Sequence, residues 1–404
     1  MPAPDHGVAG PEWPGYDAAR PHHDGPGRVR PPVPSDAGRA VRRADAWPDG
    51  EFSASRVADG AAGSVPGGGQ RSPGSRGADG GAVGPACGSR DAYGPRFDGP
   101  VPPGGYAWWY VDALSDDGRH GLTIIAFIGS VFSPYYAWSR RRGAGLPQNH
   151  VAVNAVLYRP GGSGKRWAMT ERGASALATD THRLQIGPSA LTWDGTALTI
   201  ALDEVTLPLP RRLRGTIRVH PGALTPRAFK LDAAGRHRWS PLAPVSRVEV
   251  ALTDPALVWS GPGYFDTNEG DAPLEHDFRH WDWCRAPTAA GATILYNAER
   301  RDGSGQALAL QVGRNGAIEA MPPLPPAALP RTLWRMPQST RADAACVPQV
   351  LHRLEDTPFY ARSVLRTRLY GADVTAVHEA LSLDRFAKPW TQAMLPFRIP
   401  RRAV

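Results

Sequence analysis

The sequence predicts an all-β protein built as two antiparallel domains, barrels or sandwiches, behind a leading segment that does not fold. Three observations carry this. From about Gly94 onward, short β-favouring runs follow one another between turn signals. Stretches of helical period are almost absent, and the chain carries 42 Pro and 45 Gly with no helices interleaved between the runs. The first quarter has a different composition altogether.

That first quarter contains no Leu, Ile, Lys or Thr from Pro2 to Gly105, and is dominated by Gly, Pro, Ala, Asp and Arg, as in Gly67-Gly-Gly-Gln-Arg-Ser-Pro-Gly-Ser-Arg76. Such a composition cannot bury enough apolar surface to offset the entropy of ordering the chain, so residues 1–93 are expected to be disordered. An overlong start, or a linker from a neighbouring reading frame, is an alternative origin for them. They lack the apolar stretch of a secretory signal, and export is not expected.

The β-favouring runs come in order as Ala107–Val111, Leu122–Phe132, His150–Tyr158, Arg166–Glu171 and Arg183–Ile186. Asp194-Gly195 between Leu191-Thr-Trp193 and Thr196-Ala-Leu-Thr-Ile200 is a strong hairpin signal, because both turn positions tolerate positive φ. Gly215–His220, Arg247–Leu252, Thr293–Arg300, Ala307–Val312 and Ala317–Met321 follow, with a second hairpin at Asn315-Gly316. Val350–Leu354, Tyr360–Tyr370 and Val374–Leu383 complete the set. There are enough strands for two domains. A division near residue 270 gives 94–270, which carries the chemically richest residues, and a smaller 271–404. A barrel of about eight strands holds one small ligand in its interior.

The net charge of +8 and pI near 9.7 would raise nucleic acid as a partner. The basic residues, however, are almost all Arg, scattered along the chain, and no nucleic-acid motif accompanies them. A GC-rich genome accounts for the Arg more simply, and weak attraction to anionic lipid remains compatible with it. Cys87, Cys284 and Cys346 lie far apart, one of them in the segment expected to be disordered, so neither a disulfide framework nor a Cys metal site follows, which fits a reducing cytoplasm. No apolar run reaches the roughly 18–20 residues of a spanning helix, so any membrane contact is expected to be peripheral. Phosphate loops, dinucleotide fingerprints, nucleophile elbows and HExxH are all missing from the sequence, which leaves redox cofactors and nucleotide hydrolysis without support.

The chemistry concentrates in Gly261-Pro-Gly-Tyr264-Phe265-Asp266-Thr267-Asn268-Glu269-Gly270 and in His276-Asp277-Phe278-Arg279-His280-Trp281-Asp282-Trp283. A carboxyl held among aromatic faces tends to stay protonated, and the same faces stabilise a cation formed beside them. If the first stretch is extended, Tyr264 and Asp266 project from one face. The structural alternative for Asp266 is an Asx-turn or strand-end cap. His237-Arg238-Trp239 forms a second cluster in which an imidazole and an indole share a face, with satisfied core residues as the alternative. His276 and His280 could belong to a helical metal site, but their mixed surroundings favour an ion-pair lattice at a domain junction instead. Trp108-Trp109-Tyr110 and Phe132-Ser-Pro-Tyr135-Tyr136-Ala-Trp138 supply further aromatic surface, about half of which alternation would send into ordinary core.

From about Arg96 to Arg402 the chain resembles the carotenoid 1,2-hydratases, or hydroxyneurosporene synthases, of purple photosynthetic bacteria. The likeness rests on Pro102-Pro-Gly-Gly-Tyr106-Ala-Trp-Trp-Tyr110 with Val111-Asp112-Ala-Leu-Ser115, and on Ile128-Gly-Ser-Val-Phe132-Ser-Pro-Tyr135-Tyr136. His150-Val-Ala-Val-Asn154, His237-Arg-Trp239, Gly263-Tyr-Phe-Asp266-Thr-Asn-Glu-Gly270 and Trp281-Asp-Trp283 extend it. The resemblance implies a pair of lipocalin-like β-barrel domains. It also implies cofactor-independent addition of water to the terminal C1=C2 bond of an acyclic carotene such as neurosporene or lycopene.

In that reaction Asp266 is the expected acid, His237 would orient or reprotonate it, and Tyr264 and Trp239 would steady a tertiary cation with their π faces. Carotene and water are then the partners, with the protein peripheral to the cytoplasmic face of the inner or intracytoplasmic membrane. A non-catalytic lipid carrier on the same fold is the main competitor, since fold alone does not decide between them. A hydrolase using Asp266 and His237 lacks a nucleophile and an oxyanion site.

Overall fold

A computed structural model describes residues 94–159 and 164–402. The leading segment expected to be disordered, 1–93, lies outside the described residues.

Strand formation begins where β-branched and aromatic side chains first alternate. β1 (Tyr106–Leu114), β2 (Gly121–Ile128), α1 (Pro134–Arg141), β3 (Val151–Tyr158) and β4 (Arg166–Arg172) come first, and the four strands pair antiparallel in chain order. The expected strand through Phe132 stops at Ile128: Gly129 takes φ +72°. Ser133 then caps α1, its Oγ accepting from the backbone N–H of Tyr135 and Tyr136 with Pro134 in the first turn.

Shorter strands follow as β5 (Leu177–Thr179), β6 (Arg183–Ile186), β7 (Ser189–Trp193), β8 (Leu198–Val205), β9 (Arg212–Pro221) and β10 (Phe229–Lys230). The β7–β8 hairpin turns at Asp194-Gly195, where the Asp194 carboxylate accepts from the N–H of Thr196 and Ala197. Two long strands, β11 (His237–Asp254) and β12 (Ala256–Gly270), close this part of the chain. β12 returns to pair with β1, which joins the beginning and end of a 13-stranded sheet through its middle. The sheet curls until Ala168 on β4 bridges Thr206 just beyond β8.

α2 (Leu274–Asp277) leads to a second sheet of seven strands. β13 (Phe278–Thr288), β14 (Gly291–Arg300), β15 (Gly305–Gly313) and β16 (Ile318–Ala320) run as a meander, with the expected turn at Asn315-Gly316. A separate hairpin, β17 (Pro326–Leu329) and β18 (Gln338–Arg341), precedes β19 (Gln349–Asp356), β20 (Tyr360–Leu369) and β21 (Ala372–Ser382), and β21 pairs with β13. The chain ends through α3 (Leu383–Phe386), α4 (Pro389–Met394) and β22 (Arg401–Arg402), which returns to the first sheet parallel to β4.

Period-two alternation sorts the apolar side chains into separate cores. Trp109, Val111, Ile124, Ile217, Val250 and Phe265 fill the inside of the curled first sheet. Their sequence neighbours Trp108, Tyr110 and Tyr264 point the other way, into a second core shared with Trp281, Trp283 and Tyr296 of the second sheet. The opposite face of that sheet packs Cys284, Leu295, Leu365 and Leu329 of the β17–β18 hairpin. The chemically interesting side chains therefore lie between the two sheets.

Candidate active site between the sheets

Register places the site. On β12, Tyr264, Asp266 and Asn268 share one face, and their partners on β1 are Asp112, Tyr110 and Trp108. On the other side β11 sets Trp239 opposite Asn268, one step diagonally from Asp266. Gly270 ends the strand where Tyr106 and His237 come closest: a Cβ there would run into the Tyr106 ring and the His237 Nδ1.

Asp266 is buried at 4% exposure. Its Oδ2 accepts hydrogen bonds from Trp239 Nε1 and from the Tyr264 hydroxyl, each at 2.8 Å. Only Asn268 Nδ2, at 3.5 Å, approaches Oδ1. Burial pushes the carboxyl up to about 8; the Trp239 and Tyr264 donors pull the other way, and the nearby Glu379 and Asp112 add to the rise. At neutral pH the group is a carboxylic acid. Because both donors engage Oδ2, the proton belongs on Oδ1.

The second sheet supplies the facing wall. Alternation on β13 turns Trp281 and Trp283 into the shared core and sends Asp282 to the far face, where it accepts from Ser339 Oγ at 2.7 Å. Trp283 stands edge-on to Tyr264 and Tyr110, with centroids 5.0 and 5.6 Å away, and Tyr296 lies 5.2 Å from Trp239. Tyr110, Trp283 and Tyr296 help line a cavity of about 290 Å³ that reaches Asp266 at one part of its wall and Trp334, Met394 and Arg398 at another. It draws residues from both sheets, whereas the sequence reading put the site in the first domain alone.

Tyr264, Trp239 and Asp266 are brought together as expected, but in different parts. Tyr264 and Trp239 are wholly buried and hold Asp266 with their polar atoms, and the rings lining the cavity instead include Trp108, Tyr110, Trp281, Trp283 and Tyr296. His237 does not meet Asp266. Its Nε2 lies 2.6 Å from Asp277 Oδ2 and its Nδ1 lies 2.9 Å from the Tyr106 hydroxyl. The carboxylate can only accept, so Nε2 carries the hydrogen and Nδ1 accepts from Tyr106. Burial lowers the His237 pKa, against the pull of Asp277, so the ring is neutral. Both nitrogens are thus committed elsewhere, because β11 carries His237 two residues beyond Trp239 towards the α2 junction.

That junction is an ion-pair lattice. Arg236 meets Asp277 at 2.5 Å and Arg140 meets Glu275 at 2.5 Å. His276 sits on α2, which ends after four residues, while His280 is on β13 with its Nε2 3.2 Å from Asp282. The two imidazoles do not share a helix.

Sequence reasoning missed the buried charges beside the cavity. Asp112 accepts from Arg285 Nε at 2.6 Å and from Arg362 Nη2 at 2.5 Å, tying the first sheet to the second. Arg362 also binds Glu379, which accepts from the Tyr110 hydroxyl at 2.7 Å and lines the cavity. The available signal was a pair of charges, Arg362 and Glu379, embedded in β-favouring runs of adjacent strands.

A largely apolar cavity walled by many aromatic rings, with a buried carboxyl in its wall, defines a protein suited to holding an apolar ligand beside an acid. Comparison with known proteins narrows the class. Residues 124–404 match the model of the carotenoid hydratase CrtC family, and the chain belongs to that family. It is 56% identical over 380 residues to the acyclic carotenoid 1,2-hydratase of Thiocapsa roseopersicina, covering 94% of this chain and 93% of that one. The acyclic carotenoid 1,2-hydratase of Rubrivivax gelatinosus is 50% identical over 380 residues, with 93% of each covered. That of Cereibacter sphaeroides is 42% identical over 280 residues, 69% of this chain and 98% of the relative. Among solved structures, a protein of Nitrosomonas europaea assigned to AttH superposes with TM-score 0.50 at 13% identity, over 72% of this chain and 99% of that one, a likeness of fold alone.

Proposed function

We infer that this chain is an acyclic carotenoid 1,2-hydratase, adding water to the terminal C1=C2 bond of a carotene such as neurosporene or lycopene. The observation that carries the chemistry is Asp266: a buried carboxyl, neutral at physiological pH, at an aromatic cavity.

The Asp266 Oδ1 proton passes to C2 as the C1=C2 π bond breaks, leaving a tertiary cation at C1. Trp239 and Tyr264 donate to Oδ2 and so stabilise the carboxylate that the transfer creates, which makes a buried acid strong enough to act. The faces of Trp281, Trp283 and Tyr296 stabilise the cation, at about 2 kcal/mol for a desolvated cation–π contact. Water then attacks C1, and its surplus proton returns to Asp266. The cycle closes with Asp266 neutral and draws on no group beyond the chain and water.

His237 acts at one remove, fixing Tyr106 and the α2 junction. The fold divides near residue 270 into two lipocalin-like halves, with the site at their seam. Supply of a water-insoluble carotene places the protein peripherally at the cytoplasmic face of the membrane, and among the described residues no helix is long and apolar enough to cross it.

The test is incubation of the purified chain, without added cofactor, with lycopene and oxygen-18 water. Product heavier by one labelled water, absent for Asp266→Asn, is expected. Lycopene bound but unchanged by a folded protein would leave the carrier reading in place.

A further inference from the structure

The cavity opens beneath a cluster of exposed apolar side chains that a water-facing surface does not call for. Leu333 is 91% exposed and Phe397 78%, and Trp334, Trp390 and Met394 are each more than two-fifths exposed. Trp334 and Trp390 stack with ring centroids 6.0 Å apart, and Trp334 and Met394 also line the cavity. The patch and the passage to Asp266 are therefore continuous.

The two segments that carry it are fastened to each other. Arg385 donates to the backbone oxygens of Trp334 and Arg335, and Gln392 Nε2 donates to Phe386 O. Leu333 N–H is held by Asp356, whose carboxylate turns inward and also lies 3.8 Å from Arg353. The last segment is basic, although Arg401 is paired with the buried Glu171, and Asp356 and Asp384 lie nearby. Residues 387–402 include Lys388, Arg398, Arg401 and Arg402 and no Asp or Glu, and Lys388, Arg401 and Arg402 are exposed.

We propose that this rim, Leu333–Arg335 with Lys388–Arg402, is a membrane-docking surface that seats on an anionic bilayer and opens the cavity directly onto its acyl region. Trp and Phe beside Lys and Arg is the composition of an interfacial anchor: rings enter the headgroup boundary while cations stay at the lipid phosphates. Docked this way, a carotene end slides from the bilayer past Trp334 and Met394 towards Asp266 without crossing water. The proposal rests on the carotene reading for its purpose, but binding to lipid is measured without it.

The experiment sediments the full chain with vesicles of neutral lipid and with vesicles containing an anionic phospholipid, and separately assays lycopene hydration in detergent micelles and in vesicles. Phe397→Ser and the pair Lys388→Ala with Arg402→Ala lie outside the cavity lining. Wild type is expected to bind the anionic vesicles, and the charge pair to bind about 25-fold more weakly, from about fivefold per basic residue at a lipid surface. Both variants should keep micellar hydration while losing it in vesicles. Equal vesicle binding by wild type and variants, or no binding by any, overturns the docking surface even where micellar hydration proceeds. A change of oligomeric state in the variants without vesicles would assign the patch to a second copy and likewise overturn it. Loss of hydration in micelles by wild type bears on the function alone, because sedimentation still reads the surface.

Discussion

Replacing Asp266 by Asn is expected to abolish activity and stabilise the protein, by an amount that grows with pH. In the folded state the carboxyl titrates at about 8 rather than 3.8, because burial removes the water that would solvate its charge. Between those two pH values the folded chain holds a proton that the unfolded chain has released. Stability therefore falls as pH rises through that window, and levels off above the folded value. At pH 7 the interval spanned is about three pH units, or about 4 kcal/mol of stability forgone for keeping Asp266 in place. Asn carries no charge at any pH and escapes this cost. Its oxygen can accept from Trp239 and Tyr264 in place of Oδ2, and its amide can face Asn268, whose Oδ1 is buried without a partner.

The stability gap between Asp266→Asn and wild type should widen by about 4 kcal/mol between pH 5 and pH 8. At roughly 2 °C per kcal/mol for a chain of this size, thermal midpoints should separate by a further 8 °C or so. Calorimetry at a series of pH values reads this, while the wild-type rate should drop about tenfold per unit above pH 8 as the acid is lost. A gap that stays constant across pH, or a wild-type rate flat to pH 10, would show that Asp266 is not held neutral by burial, and the mechanism would fail with it.

Other perturbations separate the supporting parts. Tyr264→Phe removes a donor that favours the carboxylate, so the alkaline limb of kcat should move up by about one to two units, from the 1.5–3 kcal/mol of a hydrogen bond to a charged group, with a lower plateau; a pH–rate profile checks both. Arg362→Met leaves Asp112 and Glu379 without their shared cation and should cost about 3–5 kcal/mol, measured by urea unfolding. His237→Gln should lower the melting temperature through the Tyr106–His237–Asp277 chain but leave the alkaline limb in place; a shift of that limb by a unit would restore His237 to the acid's immediate surroundings.

Much of the fold was legible because its signals are local. Asp194-Gly195 and Asn315-Gly316 turn where their backbone freedom says they should, and alternation on β12 put Tyr264 and Asp266 on one face. Ser133-Pro134 is an equally local signal, a cap followed by a first-turn proline, but it lies inside a run whose aromatic residues dominate the reading. What alternation could not give was which face looked where. Trp239 and His237 share a face of β11, yet two residues along a strand is enough to carry one to Asp266 and the other to Asp277. Nor could sequence pair Asp112 with Arg285 and Arg362, since those bonds depend on how the second sheet packs against the first.

The buried charges beside the cavity have a consequence for the acid. Asp112 and Glu379 are matched by Arg285 and Arg362, so the cluster is balanced when Asp266 is protonated and carries one surplus negative charge when it is not. Far from water, that surplus is costly, and it is one reason the proton stays on. In the proposed mechanism, transfer to a carotene changes the account. The carboxylate appears together with a cation in the same cavity, so the site remains neutral throughout the step, and Glu379 in the wall adds attraction for the positive centre. An arrangement that resists ionisation in the empty cavity thus opposes it less when a polyene end takes the proton. Ground-state neutrality and transition-state charge separation are served by the same residues, which is why removing Arg362 should disturb the acid as well as the fold.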